Sequence, residues 1–429
     1  MITKSEYAKR RSDLMELMAD NSIAIVAAAK QKVRSKDTFY PFRQDSDFYY
    51  LTGIIEPDAI LLLIPKRKHG EYVLFCREKD PLSEVQILGP EKVKKIHACD
   101  DTFPLEDIED ILPGLMEDKE HIYYDFGHDI EFDSQVLAWN RSANKSRKHP
   151  SNLISLNHFL HDMRMIKTAS EIQLIKKAAQ ISSKAHIAAM QLCEPDITEL
   201  RIESEIKYHF ANHGAKFEAY PTIVAGAERA CLFHYTDNKH RLKDGDLLLI
   251  DAGAEYQGYA SDISRTIPVN GRFSEEQKEV YQWVLKANIA AIKAAKPGNL
   301  WSDPHDEAIK VLTQGLIEMG ILQGELEQLI FEEAYKPYNP YKTGHWLGLD
   351  VHDVGNYTEY DEPAEFYEGM VLTIEPGLYL SPTIPGLDKK WKGIGVRIED
   401  LVVITKKGNT VLSKSVPKTV QGIESLMSA

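Results

Sequence analysis

Cysteine is scarce in this sequence, with four residues among 429, and no two of them have C-x-x-C spacing. Sparse cysteines without a pattern are typical of reduced thiols, so we expect a cytoplasmic protein. No apolar run approaches the roughly 20 residues that span a bilayer. The short run at 23–29 follows a charged amphipathic segment. We therefore expect neither a secretion signal nor a membrane anchor.

Basic residues are also in deficit, because 51 Lys and Arg face 65 Asp and Glu, which gives a formal net charge of -14. The acidic residues are spread along the chain, which argues against a nucleic acid or an anionic membrane as partner. A chain of this length favours two domains, each able to bury a core without a structural metal. Any metal ion would therefore serve chemistry rather than folding.

Apolar runs at 59–64 and 71–76 alternate with charged connectors and a helical stretch at 104–115. This alternation predicts a mixed α/β domain at the N-terminus. A polar and basic stretch at 140–152 is typical of an exposed connection. We place the boundary so that one domain covers 1–165 and the other 166–429, in an α+β chain.

Beyond the boundary, a first helical pattern starts at Thr168 or Ser170, either of which could cap it, and a second starts at the capping residue Thr198 and closes on Gly214. Strand-like and helical patterns then alternate along the rest of the chain. We expect strands at 247–253, 257–269, 370–380 and 394–405, and helices at 274–295 and 304–319.

Two acids mark the first of these strands. Asp251 follows an apolar run, and Asp262 comes eleven residues later, past a glycine-rich reversal that can fold as a hairpin. Buried carboxylates that approach each other repel unless a cation or a proton lies between them. Taken alone, such a pair would more often be a turn cap and a solvated acid.

Three more potential ligands occur in apolar surroundings: His345 in TGHWLGLDVHDVG, Glu375 in MVLTIEPGLYL and Glu399 in GVRIEDLVVI. Singly, they could be a core histidine, a turn acid and an exposed strand residue. Together with the two aspartates they offer four carboxylates and one imidazole. This set suits two divalent ions such as manganese, cobalt, iron or zinc.

The surroundings of the five residues, IDAG, SDISRT, GHWLGLDVHD, TIEPG and RIED, resemble those of metallopeptidases of the pita-bread fold, and among them the aminopeptidase P (Xaa-Pro aminopeptidase) family. The segment SKDTFYPFRQDSDFYYLTGIIEPDA is also similar to the opening region of aminopeptidase P, so the resemblance spans nearly the whole chain. It implies an N-terminal domain with a mixed sheet flanked by helices. The C-terminal catalytic domain would have a curved antiparallel sheet with helices behind it.

The resemblance implies a metal-dependent aminopeptidase that releases the N-terminal residue from peptides with proline in second position, by a hydroxide that two metal ions activate. Manganese is the expected ion, with cobalt, zinc and iron as alternatives. Asp262 and Glu399 would bridge the ions, Asp251 would bind one, and His345 with Glu375 the other. The family likeness also suggests a homodimer or homotetramer.

Further site residues follow from the same resemblance. His234 and His352 match family positions that steady the oxyanion or the leaving group, and Glu375 is a candidate proton shuttle. Arg397 could pair with Asp37 or orient a bridging carboxylate, because alternation in a strand points Arg397 and Glu399 the same way. The simpler alternatives are a packed histidine and a surface ion pair of little energetic value.

The chain departs from the family pattern at Tyr341, four residues before His345, where a histidine is common. A phenol does not ionise near neutral pH as imidazole does, although it can donate a hydrogen bond. We therefore expect a difference in rate, pH profile or substrate preference.

Other functions remain possible on this fold. Prolidase, which takes Xaa-Pro dipeptides, shares the ligand set, although the N-terminal likeness favours aminopeptidase P. Creatinase uses no metal, and five intact ligands argue against it. A peptide-binding protein without catalysis is the alternative of a different class, but such proteins lose ligands first.

Overall fold

The computed structural model describes residues 1–79, 87–143 and 149–428. The chain forms two compact units, Met1–Met163 and Arg164–Ala429. In the stretch 140–152, where we predicted an exposed connection, residues 140–143 end a helix and 144–148 lie outside the described residues. Within the described part, no helix has both the length and the apolar character to cross a membrane.

The helices are α1 Lys4–Leu17, α2 Ser46–Thr52, α3 Pro90–His97, α4 Ile108–Leu115, α5 Ile130–Ala143, α6 Asn157–Met165, α7 Ala169–Leu192, α8 Glu199–Asn212, α9 Glu275–Ala294, α10 Ser302–Glu318, α11 Leu326–Phe331 and α12 Val420–Met427. The strands of the first unit are β1 Ser22–Ala27, β2 Val33–Ser35, β3 Thr38–Phe39, β4 Ile60–Leu63, β5 Tyr72–Cys76, β6 Asp101–Pro104, β7 His121–Tyr124 and β8 Asn152–Ser155. Those of the second are β9 Phe217–Glu218, β10 Ile223–Gly226, β11 Leu247–Asp251, β12 Ala254–Glu255, β13 Ser264–Pro268, β14 Thr358–Glu359, β15 Glu362–Pro363, β16 Val371–Ile374, β17 Gly377–Leu380, β18 Ile394–Arg397, β19 Asp400–Thr405 and β20 Gly408–Val411.

The first unit is built on a mixed six-stranded sheet in the order β6-β5-β4-β1-β7-β8. Strand β1 pairs antiparallel with β4 and parallel with β7, which confirms the mixed sheet. The helix predicted at 104–115 is shorter than expected, because Pro104 is the last residue of β6 and α4 begins only at Ile108. Proline cannot donate to a sheet ladder, so it sits at a strand end.

The long helices α7 and α8 begin at predicted capping residues, and of the two candidates for the first cap the structure selects Thr168. Thr168 and Glu171 form a capping box at the start of α7, and the Thr198 side chain accepts the backbone N–H of Arg201. Helix α8 ends at Asn212, and Gly214 follows with φ +92°, a conformation that favours glycine.

The second unit carries antiparallel sheets in the orders β10-β11-β13, β16-β19-β20 and β17-β18. The strands predicted at 370–380 and 394–405 are each broken in two, which corrects both predictions. Residues Glu375 and Pro376 separate β16 from β17, and Ile398 and Glu399 separate β18 from β19. Because β16 pairs with β19 and β17 with β18, the two breaks lie side by side.

The strand predicted at 257–269 is also shorter and covers only β13. The chain first reverses at Gln257 and Gly258, both with positive φ, and Tyr256 bridges Tyr259 across this turn. Such a two-residue turn joins hairpin strands. The hairpin that the glycine-rich reversal predicted is therefore present.

Candidate metal centre

The hairpin brings Asp251 and Asp262 together. Asp251 ends β11 and pairs with Ser264 of β13, two residues after Asp262. At Gly253 a Cβ atom would lie 1.8 Å from the backbone oxygen of Ser261, so only glycine allows the two arms to approach this closely. The strand pairing and this glycine therefore fix the separation of the two carboxylates.

One phenol contacts both acids. The Tyr220 hydroxyl lies 2.6 Å from Asp251 Oδ1 and also forms a short hydrogen bond with Asp262 Oδ1. Burial raises the pKa of Tyr220 well above its usual value, and the charges of the neighbouring acids add to the shift. Tyr220 therefore keeps its proton and acts as a donor to the pair.

His345 presents a ring nitrogen to the same acids. Its Nε2 atom lies 3.5 Å from Asp262 Oδ2 and 3.5 Å from Glu375 Oε1. Its Nδ1 atom lies 2.9 Å from the carbonyl oxygen of Trp346. A carbonyl only accepts, so Nδ1 carries the proton and Nε2 is left as the ligand atom.

Glu399 lies in the break between β18 and β19 and adds a further carboxylate to the group. Its Oε2 atom accepts a hydrogen bond of 2.8 Å from the Ser264 hydroxyl. Its Oε1 atom is buried and has no hydrogen-bond donor among the described residues. Ligand atoms of Asp262, His345 and Glu399 all lie within 4.8 Å of one another. A buried carboxylate oxygen without a donor is costly unless a cation faces it, so these residues fit a metal ion.

The pKa shifts of the clustered acids also indicate a site for cations. Burial raises the pKa of Asp262 well above its usual value, and Asp251 and Glu375 raise it further. Burial likewise raises the pKa of Glu399, with Asp262 as the strongest neighbouring charge, and burial also raises the pKa of Glu375. The crowded carboxylates thus resist ionisation in isolation, and bound cations remove that repulsion.

Arg397 lies beneath the cluster, with a side chain that is 6% exposed. Its Nη2 atom donates to Asp251 Oδ2 at 2.6 Å, its Nε to the Ser264 hydroxyl at 2.9 Å, and its Nη1 to the Tyr379 hydroxyl at 3.1 Å. Burial disfavours its charge, but the neighbouring Tyr379, Asp251 and Glu375 outweigh burial and raise the pKa of Arg397. The guanidinium therefore stays charged.

The sequence left two roles open for Arg397, an ion pair with Asp37 or the orientation of a bridging carboxylate. The observed carboxylate partner is Asp251. Through the Ser264 hydroxyl, which donates to Glu399, Arg397 also acts on one of the two acids expected to bridge. The structure therefore favours the orienting role.

A cavity of about 660 Å³ opens over the cluster and is lined by the metal-ligand and catalytic candidates of the sequence analysis and by Tyr341. They are Asp251, Asp262, His345, Glu375, Glu399, Arg397, His234, His352 and Tyr341. The His352 ring stands edge-on to His345 with centroids 4.2 Å apart. Burial lowers the pKa of His352, and His345 and His234 lower it further. His352 is thus neutral at neutral pH.

Sequence reasoning missed several residues of this site. Tyr220 carries no periodic or charge signal, since it precedes Pro221 at the entry to a short strand. Phe233 lies between Tyr341 and Tyr379, with ring centroids 4.2 and 4.5 Å away. The segment around His234 was noted only for its histidine, although its aromatic neighbour could have been read as cavity lining.

Comparison with known proteins identifies the two parts of the chain. Residues 173–406 match metallopeptidase family M24, and residues 7–123 match the aminopeptidase P N-terminal domain. This chain belongs to metallopeptidase family M24. The predicted family and the two-domain fold with a pita-bread catalytic part are thereby confirmed.

Several known proteins match this chain over nearly its whole length. The Xaa-Pro aminopeptidase of Haemophilus influenzae is 40% identical over 99% of this chain and 98% of its own. The structure of aminopeptidase PepP from Pseudomonas aeruginosa matches with a TM-score of 0.98 at 48% identity, over 100% and 98% of the two chains. A zinc-substituted aminopeptidase P of Escherichia coli matches with a TM-score of 0.97 at 38% identity, over 100% and 98%.

These similarities confirm that the chain is an enzyme, a metal-dependent aminopeptidase. They favour this activity over a peptide-binding protein without catalysis.

Proposed function

We propose that Asp251, Asp262, His345, Glu375 and Glu399 hold two divalent metal ions, and that the enzyme releases the N-terminal residue from peptides whose second residue is proline. The observation that carries the proposal is the convergence of Asp262, His345 and Glu399, whose ligand atoms lie within 4.8 Å of one another, around a buried Glu399 Oε1 atom with no donor among the described residues. Asp251 and Glu375 line the same cavity. Oxygen and imidazole ligands suit manganese, which we propose as the ion, with cobalt, zinc or iron as alternatives.

The positions of the acids support their proposed roles. Asp262 faces Tyr220 with Oδ1 and His345 with Oδ2, so its two oxygens point to different partners, which suits the bridging role that we propose. The free Oε1 of Glu399 suits a second bridge. When bound, the ions lower the pKa of a shared water and polarise the scissile carbonyl.

Three side chains of the cavity can handle protons and charge. Glu375 has a raised pKa and accepts a hydrogen bond of 3.2 Å from Thr373, so its carboxyl can take a proton from the attacking water and pass it to the leaving amine. His352 is neutral and can donate a hydrogen bond to the substrate carbonyl. Exposed His234 lines the same cavity and can contact the leaving group.

The cavity wall supports a preference for proline. Phe233 and Tyr379 stand edge-on with centroids 4.5 Å apart and offer aromatic contact to a proline ring. Proline lacks an N–H, so a site for it needs no acceptor at that position.

The test compares Xaa-Pro-Xaa and Xaa-Ala-Xaa tripeptides and an Xaa-Pro dipeptide, with metal-stripped protein and after addition of manganese. We expect hydrolysis of the proline tripeptide only with metal, and two ions per chain by elemental analysis. The test variant is Asp262→Asn, which keeps the size of the side chain and removes the charge of one proposed ligand. Full turnover without metal, or equal efficiency on proline and alanine, would contradict the proposal, and faster cleavage of the dipeptide would identify a prolidase.

We also propose a cytoplasmic location and a homodimer or homotetramer. The four cysteines are free and buried, in agreement with a reducing compartment. Light scattering on the purified protein measures the assembly directly, and a monomer would contradict this part of the proposal.

A further inference from the structure

A second cavity of about 810 Å³, here called the basic groove, lies in the same unit as the metal centre. Six Lys and Arg side chains line it, against two carboxylates, Glu228 and Asp246. The cations are Arg229, Arg241, Lys243, Lys389, Lys390 and Lys392. This local excess of positive charge runs against the net charge of -14 of the whole chain.

The basic groove is separate from the substrate cavity and shares no lining residue with it. Strand β11 runs from Leu247 at the groove to Asp251 at the metal centre, and β18 runs from Ile394 to Arg397. At roughly 3.3 Å per residue, β11 separates the two places by about 13 Å. A ligand in the groove would therefore not be a substrate residue held at the metal ions.

A buried acid organises the floor of the groove. Glu199 is fully buried, and its Oε1 atom accepts the Arg229 Nε–H at 2.8 Å. Its Oε2 atom accepts the backbone N–H of His240 at 2.9 Å and the hydroxyl of Tyr235 at 2.7 Å. These bonds fix Arg229 and the segment that carries His240 and Arg241, so this side of the groove is preformed.

The lysines supply the unneutralised charge. Lys243, Lys389, Lys390 and Lys392 are exposed, and within the part of the chain that the structure describes no carboxylate lies at ion-pair distance from them. The Lys390 ammonium lies over the ring of Trp391, 4.6 Å from its centroid. Of the two lining acids, Asp246 accepts a backbone N–H, that of Lys243, at 3.2 Å. Several ammonium groups are thus available to an anion from outside.

We propose that the basic groove binds an oligophosphate, either inorganic or as the triphosphate of a nucleotide. Adjacent phosphoryl groups each carry charge, and Lys and Arg from several chain segments can match them together. In an extended acidic peptide, side chains on one face recur only about every 7 Å, which gives fewer charges in the same length. No Phe, Tyr or Trp is found among the described residues that line the groove, so no large aromatic ring stacks a base.

The experiment titrates the metal-loaded enzyme with tripolyphosphate in a calorimeter. The groove variant is Lys389→Ala/Lys390→Ala/Lys392→Ala, and its control, Lys406→Ala/Lys407→Ala/Lys414→Ala, removes the same charge from exposed lysines elsewhere. We expect binding about tenfold weaker in the groove variant, since three exposed charge contacts are lost, and no change in the control. Chelation of the bound metal by tripolyphosphate is common to all three proteins and cancels in the comparison.

Further arms separate the ligand classes. ATP should bind as tightly as tripolyphosphate, because the groove is expected to contact only the phosphate groups of the nucleotide. Unchanged peptidase activity and thermal midpoint in the groove variant would show that its fold is intact. The proposal is overturned if the groove variant and the wild type give the same titration with tripolyphosphate, if the control loses as much affinity as the groove variant, or if a polyglutamate peptide binds more tightly than tripolyphosphate.

Discussion

The ring of Tyr341 stands edge-on to Phe233, with centroids 4.2 Å apart and planes at 66°. Phe233 in turn contacts Tyr379. Tyr341 is 53% exposed, and it stands where the family resemblance led us to expect a histidine. Packing therefore holds the aromatic ring of Tyr341, which forms part of the cavity wall. This role is separate from any hydrogen bond that the hydroxyl donates to a substrate.

Substitutions of Tyr341 separate the ring from the hydroxyl. Tyr341→Ala removes an edge-to-face pair of about 0.5 to 1.5 kcal/mol, so we expect KM to rise by roughly two- to tenfold. Tyr341→Phe keeps the ring and should have a smaller effect. Tyr341→His should add an ionisation at about pH 6.5 to the pH profile of kcat/KM. Equal KM values for the alanine variant and the wild type would contradict the wall role.

Arg397 should be needed for the metal centre to assemble. Arg397→Ala leaves the half-buried Asp251 without its ion pair, and we expect metal affinity or kcat to fall about 10- to 100-fold. Arg397→Lys keeps a charge but loses the fork that reaches Ser264 and Tyr379, so it should recover only part of the loss. Metal titration with an activity readout measures both variants. A lysine variant that behaves like the wild type would show that charge alone suffices.

Tyr220 should act on metal binding rather than on substrate. Tyr220→Phe removes the donor shared by Asp251 and Asp262 while it keeps the ring, so we expect metal affinity to fall by about tenfold with KM unchanged at saturating metal. The matched control is Tyr256→Phe, a tyrosine of the nearby hairpin that does not line the substrate cavity. If KM alone moves in Tyr220→Phe, the hydroxyl contacts the substrate instead.

Metal binding should release protons. The raised pKa values of Asp262, Glu399 and Glu375 mean that the metal-free protein holds protons that the bound ions must displace. Calorimetry in buffers of different ionisation enthalpy counts these protons, and metal affinity should increase with pH. A metal affinity that does not change with pH would contradict the raised pKa values of these acids.

The raised pKa values of Asp262, Glu399 and Glu375 also predict how the stability of the metal-free protein depends on pH. Its folded state binds more protons at these acids than its unfolded state does, so its free energy of unfolding should fall as the pH rises above the ordinary carboxylate value of about 4. Bound metal removes the repulsion, and the decline should be weaker in the loaded protein. Thermal midpoints from pH 5 to 8 with and without metal measure the difference.

The ligand candidates could be picked out of the sequence because each lies beside an apolar run in a distinctive local pattern, and the structure places all five along one cavity. The sequence predicted helix starts where threonine side chains cap them, since capping is a local interaction. The sequence did not predict where strands end, because the end of a strand depends on the strands with which it pairs. Glu375 and Glu399 interrupt segments that are apolar on both sides, and only the distribution of strands among different sheets reveals the breaks.

The partners of the ligands were less predictable. Tyr220 is 31 residues from Asp251 and 42 from Asp262 along the chain, and it meets both acids only because β10 pairs with β11. Arg397 was singled out, but its bond to Asp251 joins strands 146 residues apart. Contacts of this kind depend on tertiary structure, so a local pattern carries no record of them.

The adjacent breaks at Glu375 and Glu399 place two proposed metal ligands at one junction between sheets. Any relative tilt of β16-β19 against β17-β18 would move both glutamates at once, while His345 follows β16 through its backbone bond with Thr373. Heating should therefore distort the metal centre before the helices unfold. Activity and bound metal would then be lost at a lower temperature than the helical signal in circular dichroism, and added metal ions would bring the two transitions together.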